Sequence, residues 1–340
     1  MLVIYKSSSS AEVFLSQCHH LEMYALRSRR LLRLSGRDVD TFIQGVVTND
    51  IGTIALEHNK PQTMAKAMYT AFLNPKGRYL FDGFVIRNDT DEDEPPSCYL
   101  DVHQNHLEYA VKYLNRYKLR SKVVIEDVND TLQIGWTFSA NPYEIAKLQK
   151  DAGDSQLLAN PDPRWPWLGM RSIEASDPSK PSGDERYNSH RLALGVPETP
   201  DFEFEKSLPL ESSLHWLNGV CFHKGCYVGQ ELTARTHFTG TVRKRLTPFR
   251  ASSVQLNSCV ETSLPLPYLQ GPCENLSLEP GAGLVNADGE SAGRVTSFDP
   301  ASGLGMAMIR SESLMGYPHL NCGETFIHPW IPMYWSLSLD

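Results

Sequence analysis

The chain has 340 residues, of which 41% are hydrophobic and 21% charged, and its formal net charge is −8 at pH 7. This composition is typical of a globular protein of roughly two or three domains. An overall acidic chain is not a general nucleic-acid binder, and no apolar run approaches the ~20 residues that a membrane span needs. Seven cysteines without a Cys-x-x-Cys pair favour reduced thiols over a disulfide scaffold.

The N-terminal half predicts strands alternating with helices. A strand is expected through "YALRSRRLLRLS", before a Gly-Arg-Asp turn, followed by a helix that Asp38 caps. The apolar face of that helix consists of Val39, Phe42, Ile43, Val46 and Val47. Two strands are expected on either side of the turn at residues 74–77, because "NPKG" is a strong turn sequence. A strand, a helix and a second strand follow between residues 99 and 128, and the helix has Leu107, Ala110, Val111 and Leu114 on one face.

The C-terminal half predicts one further helix and then mostly strands. The helix lies near "DERYNSHRLALGVP" and is ended by Gly195 and Pro197. A strand is expected in "TVRKRLTPFRA", followed by a Ser- and Pro-rich loop. Short apolar runs broken by Asp-Gly and Ser-Gly pairs then predict successive hairpins and hence a small β domain. The pattern as a whole indicates an α+β fold with helices on a mostly antiparallel sheet.

The segment "HKGCYVGQEL" presents one thiol, Cys226, with glycines at 225 and 229. Glycine permits close approach of another molecule, and a thiolate is both a nucleophile and a metal ligand. Lys224 stands two residues before the thiol and would favour the thiolate. Between residues 224 and 250 there are six Lys or Arg and one acid, so this region predicts a basic surface in an otherwise acidic chain.

Other interpretations of these residues stay open at this stage. Cys226 could be a core residue with glycines that merely turn the chain, and Cys221 lies in an apolar run that favours core packing. His223 and His237 are either surface histidines or imidazole ligands of a shared metal. A thiol hydrolase is disfavoured because no His stands with an orienting Asn or Asp in a recognisable local context.

Residues 208–246 resemble the mitochondrial iron–sulfur cluster assembly factors of the folate-binding, glycine-cleavage T-protein-like family. The family's hallmark motif is complete here as Lys224, Gly225, Cys226, Tyr227, Gly229, Gln230 and Glu231. Further segments, including "FLNPKGRYLFDGFVI" and "GESAGRVTS", extend the resemblance over roughly residues 24–310.

The resemblance implies an α+β, T-protein-like fold of three subdomains around a central channel, with a small C-terminal β-barrel. The expected organisation is an N-terminal tail at 1–22 that is a candidate targeting remnant, a folate-binding-like region of two intertwined subdomains at 23–250, a loop at 251–280 and the barrel at 281–336.

The implied function is maturation of 4Fe-4S proteins in the mitochondrial matrix, such as aconitase and the lipoate and biotin synthases, together with an A-type iron–sulfur carrier. Cys226 would supply one ligand to a cluster shared with that carrier, and the chain would act as an assembly factor rather than as an enzyme. Softness of the sulfur suits iron. The basic residues would contact a partner or an anion, and they are Arg235, Arg243, Lys244 and Arg245.

Two alternatives remain. A tetrahydrofolate-dependent aminomethyl or methyl transferase would use Asp82 and Glu211 as folate contacts, although Ala193 stands where T proteins have a pterin-binding carboxylate. Loss of that acceptor weakens folate recognition. Apart from a ligand role, Asp82 is expected as an exposed carboxylate at a strand end. The second alternative is a plain interaction module with a structural cysteine.

Overall fold

The structure, a computed structural model, describes residues 22–54, 66–88, 95–138, 158–255 and 276–336. The strands are β1 (Glu22–Ala25), β2 (Arg29–Ser35), β3 (Ala67–Leu73), β4 (Tyr79–Asn88), β5 (Ser97–His103), β6 (Val124–Asp127), β7 (Leu132–Phe138), β8 (Leu158–Pro161), β9 (Met170–Ala175), β10 (Lys244–Ser252), β11 (Gly283–Val285), β12 (Ser291–Asp299), β13 (Leu304–Arg310), β14 (Leu320–Cys322) and β15 (Thr325–Pro329). The α-helices are α1 (Val39–Val46), α2 (Leu107–Lys118), α3 (Asp184–Ala193), α4 (Gln230–Thr239), α5 (Ser311–Gly316) and α6 (Met333–Ser336). In these ranges no helix is long and apolar enough to cross a membrane.

The strands form two antiparallel sheets and a barrel. The first sheet has the order β3-β4-β5-β2-β6 and the second the order β1-β7-β9-β8. The barrel closes in the order β10-β13-β12-β11-β14-β15. Strand β10 pairs with both β13 and β15, so the barrel includes residues that lie before the predicted boundary at 281. The rest of the predicted division into domains stays a prediction.

Strands β3, β4 and β5 of the first sheet are buried on both faces, whereas the edge strand β6 is largely exposed. Met68 and Phe72 on β3 face the core under α1 and α2, while Tyr69 and Ala71 face the core shared with the second sheet and the barrel. This alternation follows from the two-residue period of a strand. Because both faces are covered, β3 is buried along its whole length.

The helix predicted after Asp38 is confirmed as α1. Its buried residues are Val39, Phe42, Ile43 and Val46, and Val47 directly after the helix is also buried. The cap differs from the prediction, because the Asp38 carboxylate accepts a hydrogen bond from the Lys122 backbone N–H at 2.7 Å and none from its own helix. The turn at residues 74–77 is confirmed, with the Gly77 N–H donating to the Asn74 carbonyl at 2.9 Å.

Three arginines and three carboxylates meet where the two sheets pack together, and we call them the central ion-pair network. Its members are Arg29, Asp101, Asp162, Arg164, Arg171 and Glu198, all at most 3% exposed. Asp101 on β5 accepts from Arg29 on β2 at 2.6 Å and from Arg171 on β9 at 3.1 Å. Glu198 accepts from Arg164 at 2.8 Å and from Arg171 at 3.1 Å. The network therefore joins strands of both sheets through paired charges.

Glu198 is the carboxylate that contacts all three arginines of the network. Burial alone would raise the pKa of the Glu198 carboxyl, but the guanidinium groups, Arg164 first among them, hold it well below its ordinary value of 4.5. A carboxyl whose pKa is lower in the folded protein stabilises the fold above the unfolded pKa, and this contribution is lost as the pH falls through the folded pKa.

We expect Glu198→Gln to lower the free energy of unfolding at pH 7 by about 3 kcal/mol, because breaking a buried ion pair leaves uncompensated charge. Urea unfolding measures this loss. Wild type should also lose more stability than Glu198→Gln when the pH is lowered from 7 to 4. Glu312→Gln, on the exposed first turn of α5, is the control and should match wild type. Equal urea midpoints for all three proteins would contradict the role of the network.

Candidate functional site

The family motif forms a loop at residues 221–229 that leads into α4. Of the four cysteines in the described part of the chain, Cys226 is exposed, Cys221 and Cys322 are half-buried and Cys98 is buried. The core packing expected for Cys221 is therefore only partial, and its backbone N–H donates to the Thr48 carbonyl at 3.0 Å. The thiol that the sequence pattern selected is the accessible one.

Lys224 fixes this loop to the C-terminal end of α1. Its Nζ donates to the carbonyl oxygens of Gln44, Val47 and Asn49 at 2.8, 2.7 and 2.7 Å. Helix C-termini leave carbonyls without intrahelical partners, and an ammonium group has three N–H donors to satisfy them. Burial lowers the pKa of Lys224 to about 8. Lys224 was expected to favour the thiolate with its charge; its ammonium group instead bonds the end of α1, because that site offers three acceptors.

Gln230 connects the thiol to the loop backbone. Its Nε2 lies 3.7 Å from the Cys226 Sγ and donates to it, while its Oε1 accepts from the Tyr227 N–H at 3.0 Å. Gln230 is also the first residue of α4, and the N-terminal end of a helix attracts negative charge. The amide and the helix end therefore both place positive polarity near the sulfur.

The two glycines of the motif have different roles. Gly229 has φ +80°, and a Cβ there would lie 2.4 Å from the Asn74 carbonyl oxygen and 3.1 Å from the Gly77 Cα. This close packing against the 74–77 turn requires glycine. A Cβ at Gly225 would meet nothing within 4 Å, so the fold itself leaves open space beside Cys226.

Aromatic side chains lie within the Cys226 loop and near the C-terminal end of α4. The rings of Phe222 and His237 stack with centroids 3.5 Å apart, and Phe238 is 65% exposed. His223 and His237 are both exposed. In the described ranges no three His, Cys, Asp or Glu side chains converge as a metal site. The exposure of His223 and His237 agrees with the interpretation as surface histidines, and the alternative ligand role stays untested.

The basic residues predicted to contact a partner differ in their exposure and in their pairing. Arg235 and Arg243 are exposed, while Lys244 pairs with Glu211 at 3.4 Å. The Arg245 guanidinium lies 4.1 Å from the Trp216 ring centroid and donates to the Leu210 carbonyl, and burial lowers its pKa. Alternation along the strand sends Arg245 inward, so these cations do not form one continuous surface.

The predicted folate contacts lie elsewhere. Asp82 is in the middle of β4 and fully buried, so the expectation of an exposed strand-end carboxylate is wrong. Its carboxylate accepts hydrogen bonds from the hydroxyls of Tyr69 and Tyr79, each at 2.7 Å, and from that of Thr199. Glu211 is bound to Lys244 as described above.

What the sequence did not reveal is how the loop is held. The signals were present, since Lys224 and Gln230 both belong to the motif, but their partners come from distant segments. Lys224 reaches residues 175 to 180 positions away, and no local pattern indicates such a contact. The positive φ of Gly229 and its packing on the 74–77 turn depend equally on tertiary structure.

We expect Gly229→Ala to lower the free energy of unfolding by at least about 2 kcal/mol, because a positive φ and a backbone clash are both unfavourable for alanine. Gly225→Ala is the matched control and should change it by less than about 0.5 kcal/mol. Urea unfolding of the two variants beside wild type decides this. If both alanines had the same effect, Gly229 would not be packed as described.

We expect Lys224→Met to loosen residues 221–229, because the variant leaves three carbonyls at the end of α1 without their donor. Amide hydrogen exchange in the loop should become faster, and the free energy of unfolding should fall by about 1–3 kcal/mol. Lys76→Met, at an exposed lysine of the 74–77 turn, is the control. Unchanged exchange in Lys224→Met would contradict the anchoring role.

The C-terminal barrel and the overall fold are both similar to those of known proteins. Residues 243–337 match the family model described as CAF17, C-terminal beta-barrel domain. The fold is similar to that of the glycine cleavage system aminomethyltransferase T from Bartonella henselae, with a TM-score of 0.62 over 93% of this chain and 86% of that one. At 12% identity this likeness concerns the fold alone, and it confirms the predicted T-protein-like fold with a C-terminal barrel.

The sequence relatives are more specific. The chain is 33% identical to the mitochondrial iron-sulfur cluster assembly factor IBA57 of Mus musculus over 93% of this chain and 86% of the relative. It is 34% identical to the protein of that name from Homo sapiens, over 88% and 81%. These matches confirm the resemblance carried by the Cys226 motif: the chain belongs to the family of the mitochondrial iron–sulfur cluster assembly factor IBA57.

Proposed function

We propose that this chain is a mitochondrial iron–sulfur cluster assembly factor in which Cys226 supplies one ligand to a cluster shared with a second protein. Family membership supports the assembly role and the mitochondrial location. The observation that carries the ligand assignment is the exposure of Cys226 in a loop that is fixed on either side of the thiol by Lys224 and Gly229.

The chemistry of the loop fits the transfer of a cluster as cargo. A cysteine thiolate is a soft ligand that suits iron, and such clusters are generally held by four ligands. One thiolate from this chain leaves the other positions to a partner, which we propose is an A-type carrier in the mitochondrial matrix. The clients would be 4Fe-4S enzymes such as aconitase and the lipoate and biotin synthases.

The side chains around Cys226 would stabilise the cluster that is shared with the partner without binding the iron themselves. The Gln230 amide N–H donates to the sulfur, and hydrogen bonds of this kind orient a ligand and offset its charge. The open space beside Gly225 would admit the partner. The proposal assigns no catalytic residue, in keeping with an assembly factor.

A folate-dependent transferase remains the less favoured function. Of the two predicted folate contacts, Asp82 is already bonded by three hydroxyls and Glu211 is paired with Lys244. Ala193, where T proteins have an acidic residue, is buried and provides no acceptor. No observation on the described residues favours aminomethyl transfer over the assembly role.

The test mixes the protein with a reduced A-type carrier, iron and sulfide under anaerobic conditions, and follows visible absorption and circular dichroism. We expect wild type and Cys221→Ser to form a cluster-containing complex. Cys226→Ser should form at least tenfold less of this complex, since the ligand is removed. Far-ultraviolet circular dichroism checks that both variants fold. Identical spectra from Cys226→Ser and wild type would refute the ligand role of this thiol.

A further inference from the structure

A groove of about 710 Å³ lies on the surface between α2, the turn at residues 74–78 and the segment 205–206. One face of α2 forms its longer wall, with aromatic and cationic side chains at helical spacing. The side chains on that wall are Tyr109, Lys112, Tyr113, Arg116 and Tyr117. The groove thus combines residues from three separate segments of the chain.

The groove is strongly basic in a chain whose net charge is −8. Its charged residues are Lys76, Arg78, Lys112, Arg116, Lys206 and Glu205. Among the described residues the side chains of Lys76, Arg116 and Lys206 form no ion pair, and the pair of Lys112 with Glu108 is 3.8 Å long and largely exposed. Such a concentration of unneutralised charge attracts anionic partners.

The tyrosines add hydrogen-bonding capacity. The Tyr113 hydroxyl donates to the Leu73 carbonyl at 3.1 Å, whereas within the described ranges the hydroxyls of Tyr109 and Tyr117 make no hydrogen bond. Both rings are held by aromatic neighbours, Tyr109 against Phe204 and Tyr117 against Tyr113. Fixed rings with available hydroxyls are suited to recognition, since little side-chain entropy is lost on binding.

The groove and the Cys226 loop share one structural element. The turn at 74–78 lines the groove, and the same turn packs against Gly229 and Leu232 at the junction of the Cys226 loop and α4. The turn therefore links the groove to the C-terminal end of the Cys226 loop.

We propose that this groove binds an extended acidic segment of the partner protein, an inference that rests on the proposed function for the identity of that partner. The face of α2 from residue 109 to residue 117 is about 12 Å long, which corresponds to three or four residues of extended chain. Its cations are spread along this length and on both walls, whereas a compact phosphate would need them to converge. Arginine forks also match carboxylates in geometry.

The first experiment measures fluorescence anisotropy of a labelled peptide of eight glutamates with the apo protein at low salt. We expect wild type and Cys226→Ser to bind it equally, so that failure of the groove and failure of the cluster-ligand role are distinguishable. The double variant Lys112→Glu/Arg116→Glu should bind at least about tenfold more weakly. Added NaCl should weaken the wild-type complex, because exposed charges are screened.

The matched control is Arg37→Glu/Arg310→Glu, which makes the same change of charge at exposed arginines outside the groove and should bind like wild type. If the reversed groove variant does not fold, Lys112→Gln/Arg116→Gln replaces it, with weaker binding again expected. An equal loss of peptide binding in the control variant would overturn the proposal, and so would the absence of peptide binding by wild type. So would tighter binding of inorganic tripolyphosphate with the same variant dependence, which would indicate a compact phosphate ligand.

Discussion

The central ion-pair network is the constraint on which the rest of the structure depends. Three guanidinium groups and three carboxylates are removed from water between the two sheets, and buried charges are tolerated only when they are paired and hydrogen-bonded. Three of the pairs join residues 70 to 169 positions apart in sequence, and the others join residues 2 to 34 positions apart. The network therefore admits one arrangement of the sheets, and Arg171 reinforces it by lying 4.0 Å from the Phe84 ring centroid.

The sheet positioned in this way fixes the Cys226 loop. Strands β3 and β4 carry the 74–77 turn that receives Gly229, and α1, packed on the same sheet, offers the carbonyls that bind Lys224. The loop is thus attached to rigid elements on both sides of the thiol, while the thiol itself is exposed. An exposed reactive group on a fixed support is what a ligand shared between two proteins requires, because preorganisation lowers the entropy lost on complex formation.

Charge is distributed unevenly over the described part of this chain. The Asp82 carboxylate on β4 accepts hydrogen bonds from three internal hydroxyls. Several cations lie in the groove beside α2, rather than in one row along β10. This basic groove is lined by the turn on which Gly229, at the end of the Cys226 loop, also packs. A T-protein-like scaffold can thus serve a function other than one-carbon transfer, since function belongs to sites rather than to folds.

The sequence by itself determined the elements with a clear apolar period and the thiol, whereas β8, β9 and α4 were not predicted from it. The apolar period of α1, the "NPKG" turn and the glycine-framed Cys226 are local patterns, and each was found where it was predicted. Only the tertiary structure decided that Lys224 bonds the end of α1, that Asp82 is buried and that Arg245 packs on tryptophan. The physical reason is that a charged side chain takes the partners that compensate its desolvation, and those partners come from segments far away in sequence.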